Sequence, residues 1–184
     1  MNVNFEYTSA TEREPVVFEQ IYGEKPGGGL LANQTFDVKA GTAVGLSSGK
    51  FAPIKAYKLV KAVLIADTTI EIAKGSGIAV GDVIGVGAKA VASTAVDTTT
   101  NDDKDVVTVT LGVAVAKGAI LYQAAEASAS AAAPIYTPLF VVGETVTGNE
   151  GDKIVKLVNG ANLRKETANI SKEVAALLPT INLV

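Results

Sequence analysis

Along most of this chain hydrophobic and polar positions alternate in short stretches, and only close to the carboxyl end does the spacing become helical. In NVNFEY the apolar residues Val3, Phe5 and Tyr7 alternate with polar neighbours, and VVFEQIY sets Val17 or Phe18, then Ile21 and Tyr22, in an extended pattern. From Leu30 to Ala125 strand-like runs follow one another: FDVKA, TAVGL, KFAPIKA, YKLVKAVLIA, TTIEIA, DVIGVG, KAVAS, VVTVTLGVAVA and AILYQAA. Period two is clearest over Thr69–Ile72 and Val106–Thr110. Turn signals (SSGK, ADTT, KGSG, GAK, AKG) separate the runs. Many short strands between glycine-rich turns predict a sandwich or small barrel rather than a βαβ fold.

A short recurrence runs through this region. Gly41-Thr-Ala-Val44, Gly81-Asp-Val-Ile84 and Gly118-Ala-Ile-Leu121 each place a glycine just before an apolar run. A glycine there permits positive φ or close backbone approach as the chain turns into a strand. Gln123–Pro134 is Ala/Ser-rich without large apolar side chains, which predicts an exposed loop or linker. In KIVKLV-NG-ANLRK, Asn159-Gly160 is the strongest hairpin signal of the sequence. One helix is expected after it, capped by Ser171, with Glu173 in its first turn and Val174, Leu177 and Leu178 on one face. Pro179 ends that helix, and INLV is read as a terminal strand.

The pattern thus predicts a mainly β protein. It comprises an extended arm over 1–29, closed by the loop GEKPGGG, and a central β domain over 30–125 of short antiparallel strands. A smaller α+β portion over 134–184, a hairpin plus helix, packs on that domain. The alternative for the arm is two edge strands of the same domain.

Composition adds exclusions. With 48% hydrophobic and 19% charged residues in 184, the chain is too apolar for disorder and long enough to bury a core. Its longest apolar run, AVLIA at Ala62–Ala66, falls far short of the roughly 20 residues of a membrane span. The amino-terminal stretch lacks the basic flank and apolar core of a secretory signal, so synthesis in the cytoplasm is expected. Residues 1–25 hold five glutamates against Arg13 and Lys25, which accounts for the entire net charge of −3. No basic stripe of the kind that neutralises phosphates is visible, and no nucleic-acid partner is expected.

Chemistry is limited by what is missing. The chain has no cysteine and no histidine, which removes disulfides, thiolate sites, the commonest general base and the commonest transition-metal ligand. The acidic stretch DTTTNDDKD (Asp97, Asn101, Asp102, Asp103, Asp105) lacks the central glycine of a calcium loop and is read as a solvated hairpin tip. GLSSGKF has Val44 and Phe51 where a phosphate loop needs Gly and Ser or Thr, and GSGIAVG does not fit the dinucleotide fingerprint. No enzyme, cofactor or metal is expected.

The order of motifs from Leu30 to Val184 resembles the head-fibre and head-decoration proteins of tailed bacteriophages. The resemblance rests on Val80-Gly-Asp-Val-Ile84, TTTNDDKDVVTVTLGVA and Ala116-Lys-Gly-Ala-Ile-Leu-Tyr-Gln-Ala124. The Ala/Ser run, Tyr136-Thr-Pro138 and a last helix reaching LLPTINLV complete it. It implies a virion surface protein, commonly trimeric, bound to the major capsid protein on the outside of the shell and able to contact a host surface. Beside it stands a further expectation, that the arm binds the capsid through Phe5, Tyr7, Phe18 and Tyr22. A tail or baseplate part, another surface-adhesion module, or a carbohydrate-binding domain are the alternatives.

Overall fold

The computed structural model describes residues 15–184. In chain order the strands are β1 (Phe18–Glu24), β2 (Gly29–Leu31), β3 (Ala43–Ser47), β4 (Lys50–Pro53), β5 (Ala56–Lys58), β6 (Thr69–Ala73), β7 (Val83–Val86) and β8 (Lys89–Ala92). They continue with β9 (Ala95–Asp97), β10 (Lys104–Thr108), β11 (Ile120–Ala124), β12 (Phe140–Val142), β13 (Lys153–Val155) and β14 (Leu157–Leu163), then the one-turn helix α1 (Lys172–Ala175) and β15 (Ile181–Leu183). The protein is mainly β, as the alternation predicts.

The strands sort into three sheets. The largest runs β1-β14-β12-β3-β4-β2-β13, with β15 also on β14. Its last strand, β13, passes through Lys156 straight into β14, so the sheet curls round as a half-barrel. The other two, β6-β10-β9 and β5-β11-β7-β8, come entirely from residues 56–124. That unit is inserted between β4 and β12. The expected boundaries, 30–125 and 134–184, cut across this arrangement: β2, β3 and β4 share their sheet with β12, β13 and β14.

Three layers of core result, and single strands serve two of them. Val44, Val142 and Leu157 point into the half-barrel, where Phe51 and Phe140 meet edge to face at 5.6 Å. Their chain neighbours Ala43, Val141 and Val158 point the other way, toward Tyr122, Ala90, Val174 and Leu178. The inserted unit closes its own core around Tyr57, Ile70, Ile72, Ile84, Val107 and Leu121. Val141, Val142, Leu157 and Val158 are fully buried. Side chains of this kind each contribute about 1.5–3 kcal/mol on burial.

The recurring glycine tetrads have one local structure. Lys39–Thr42, Ala79–Asp82 and Ala116–Ala119 are turns closed by i+3 N–H to i C=O bonds of 3.1, 3.1 and 3.2 Å. The third residue of each is a glycine at φ 80, 89 and 84°, as a type II turn requires. Each of these glycines donates its N–H across to another segment (to Val142 O, Ser93 O and Leu59 O), and a strand begins at the residue after the turn.

Two local expectations fail. Asn159 and Gly160 do not turn: β14 runs straight through them, and Gly160 lacks the positive φ that a two-residue hairpin needs. That glycine is needed for closeness, since a Cβ on it would lie 2.8 Å from the Tyr22 ring. In α1, Ser171 does cap, its Oγ accepting Val174 N–H at 3.2 Å, and Val174 and Leu178 are buried, but Leu177 points to solvent at 53% exposure. A helix of one turn has no complete apolar face to present.

Candidate functional site

Of the four aromatics expected to bind a partner, Phe18 and Tyr22 are among the described residues. Phe5 and Tyr7 lie outside the described residues. Phe18 and Tyr22 belong to β1, which pairs antiparallel with β14 rather than extending away as part of an arm, because apolar Val17, Phe18 and Ile21 pack onto the core beneath. Phe18 is half-buried there. Tyr22 faces out at 53% exposure, its hydroxyl donating to Thr180 O at 2.7 Å and accepting from Asn182 Nδ2 at 3.1 Å. Three register shifts interrupt the β1–β14 ladder. Ion pairs from Glu19 to Arg164 (2.9 Å) and Glu24 to Lys156 (2.6 Å) flank it. Bulges and charges are what natural edge strands carry to discourage further pairing.

The acidic stretch is a hairpin tip, with β9 and β10 antiparallel on either side. Asp97 Oδ1 accepts the N–H groups of Thr99 and Thr100, both at 3.0 Å. Bonds from the side chain of Thr100 and from these amides hold its carboxyl well below the usual range. Asp105 turns inward and is buried, with Lys74 Nζ 3.0 Å away. The same ammonium donates to Asn101 O at 2.8 Å and to Thr98 O. A lysine of the chain thus occupies the position where loop carbonyls and a carboxylate converge. Among the described residues no group of three or more Asp or Glu is placed to hold a metal.

The phosphate-loop look-alike GLSSGKF is the β3–β4 hairpin. Ser48 and Gly49 both have positive φ, 50° and 81°, as its two-residue turn demands. Lys50 is turned to Asp152, 2.5 Å away, and this bond lowers the carboxyl of Asp152.

Among the described residues a half-buried polar cluster centres on Asp82, which the sequence pattern does not mark as a site. Its Oδ2 accepts Lys55 Nζ (2.8 Å), Tyr57 OH (3.0 Å) and Ala79 N–H (3.0 Å), and its Oδ1 accepts Gln123 Nε2 (3.3 Å). Burial, then the neighbouring Asp82 charge, push the Tyr57 phenol far above its ordinary value. Lys55, Tyr57 and Gln123 all bond the one carboxylate, so the cluster ties β5, β7 and β11 together around a turn. The signal for it was present only as Asp82 in a glycine tetrad; its side-chain partners come from two other stretches, Lys55–Tyr57 and Gln123.

Large aliphatic side chains stand on the outside in defined places. Leu64 and Ile65, 66% and 63% exposed, occupy a turn that Asp67 locks. The Asp67 carboxylate accepts Leu64 N–H at 2.8 Å, and its own N–H reaches Leu64 O at 3.2 Å. Ile154, 74% exposed on the sheet-end strand β13, sits directly opposite exposed Leu30 of β2. Comparison with models of protein families, with curated proteins and with solved structures finds no match for this chain.

Proposed function

We propose that this chain is a virion structural protein that binds the outside of a tailed-phage capsid as a decoration or head-fibre subunit, stabilising the shell or presenting a surface. The observation that carries the reading is the outward placement of Leu64, Ile65, Leu30 and Ile154 on hydrogen-bonded turns and paired strands. Apolar side chains presented on an already hydrogen-bonded backbone can be covered by a partner without first ordering the chain, which suits them to a protein–protein interface. The resemblance of Leu30–Val184 to phage head proteins supports the same assignment. Repetition over a capsid lattice would convert a modest affinity per subunit into firm retention.

Co-sedimentation with capsids of the phage that encodes the chain tests this. The wild-type protein is expected to pellet with particles at a stoichiometry set by the capsid lattice. Leu64→Lys combined with Ile65→Lys is expected to keep the fold and weaken pelleting at least about tenfold, about 1.4 kcal/mol. No association with any particle rejects the reading, and a few copies per particle would assign the chain to the tail.

A further inference from the structure

A second surface has a different chemistry. Where the β7–β8 turn, the loop 113–119 and the carboxyl-terminal segment meet, an open groove of about 620 Å³ separates the inserted unit from the helix and β15. Its floor is aliphatic: Val86, Val113, Val115 and Leu183. Lys89, Lys165 and Lys172 line it together with one carboxylate, Glu173. Lys165 and Lys172 are exposed, and the nearest anionic contact of Lys172 is Glu173 at 4.0 Å. Lys89 reaches only the carbonyl of Gly112, at 3.4 Å. The lining therefore carries excess positive charge on a protein whose net charge is −3.

We propose that this groove receives an extended segment of a partner polypeptide in which carboxylate and aliphatic side chains alternate. The size falls within the roughly 300–1,000 Å³ of cavities that take ligands, and junctions between units are favoured positions for them. An aliphatic floor without an aromatic ring gives a sugar or a nucleobase nothing to stack on. It does accept every second side chain of an extended peptide, while the intervening carboxylates reach the lysines. Opposite charge across the contact speeds encounter and makes binding fall with added salt. The inference is independent of the capsid assignment.

Fluorescence anisotropy of the full chain with a short labelled peptide of alternating glutamate and valine tests it, with an alternating lysine and valine peptide as the control. The acidic peptide is expected to bind, and the basic one not. Lys165→Glu with Lys172→Glu, both at exposed positions, is expected to weaken binding about tenfold or more, as is Val113→Asp in the floor. Circular dichroism of each variant should match wild type. The proposal is overturned if the acidic peptide does not bind, if both peptides bind alike, or if the lysine reversals change nothing. It is equally overturned if sedimentation shows that copies of the chain associate through this groove and that the reversals separate them. Capsid pelleting by the reversal variants, measured in parallel, stays at the wild-type level whichever way the peptide result falls.

Discussion

Glycines in this protein do two separate jobs, and substitution tells them apart. Gly49 occupies open space, so a methyl group there meets nothing and the only cost is its φ of 81°. Gly85 has an ordinary φ, but a Cβ on it would lie 2.4 Å from the Tyr122 ring, whose hydroxyl is held by Gly87 O at 3.1 Å. Gly49→Ala is expected to cost about 1–2 kcal/mol from left-handed backbone alone. Gly85→Ala should cost about 1–3 kcal/mol and disturb the packing of Tyr122. Denaturant midpoints give the sizes, and only the second should alter the near-ultraviolet tyrosine signal. Tyr57 sets an alkaline limit at the same scale. Its neutral phenol is favoured by burial first and by Asp82 second, so it stays protonated in the folded state where an unfolded chain ionises, near pH 10. The unfolded state then holds fewer protons, so this contribution is complete below about pH 10 and is lost as pH rises further. Tyr57→Phe should flatten the decline of stability above that pH, and a decline of unchanged slope would contradict the assignment.

Strands here are read best in pairs of adjacent residues. The runs Ala43-Val44, Val141-Val142 and Leu157-Val158 lack alternation because each strand is covered on both faces, one by the half-barrel interior and one by the layer toward the inserted unit. Alternation was visible where one face meets water, as in β6 with Ile70 and Ile72 inward, and those strands were legible from sequence. So were the three glycine turns, since a type II turn writes its requirement into a single position. What could not be read was which strands share a sheet: Asn159-Gly160 has the composition of a turn but faces Tyr22, 138 residues earlier in the chain. The YKLVKAVLIA stretch likewise keeps only Tyr57 and Lys58 as strand, at the end of β5, and Leu64 O and the Asp67 side chain draw its far end into a turn. Leu157→Ala is expected to destabilise by about 2–5 kcal/mol, and Leu177→Ala, at an exposed position just after α1, by no more than about 0.5 kcal/mol. Parallel urea titrations distinguish them.

At the scale of the molecule the inserted unit and the curled sheet stand on one common layer. Tyr122, Ala90 and Ala124 of the insertion pack with Val141, Val158 and Ile181 of the sheet that surrounds it in sequence. A unit whose inner face is completed by its neighbour does not keep its stability apart from it. Calorimetry should therefore show a single transition with matching calorimetric and van't Hoff enthalpies. Tyr122→Ala, costing about 3–5 kcal/mol by analogy with other large aromatic truncations, should lower that one transition rather than split it. Two resolved peaks would mean that the layers melt independently. The candidate surfaces belong to this scale too: the lysine-lined groove draws on residues 86–89, 113–121 and 165–183, and only assembly of the two units creates it.

Phe18 and Leu183 both stand beside Leu163, one on each side of β14. Neighbouring strands are about 4.8 Å apart, so the two positions are separated by only about 10 Å across the sheet. A pull applied between them would start at one extremity of both ladders and open them bond by bond, like a zip, instead of loading every rung together in shear. Tension entering the molecule through that corner would therefore be resisted weakly, one rung at a time.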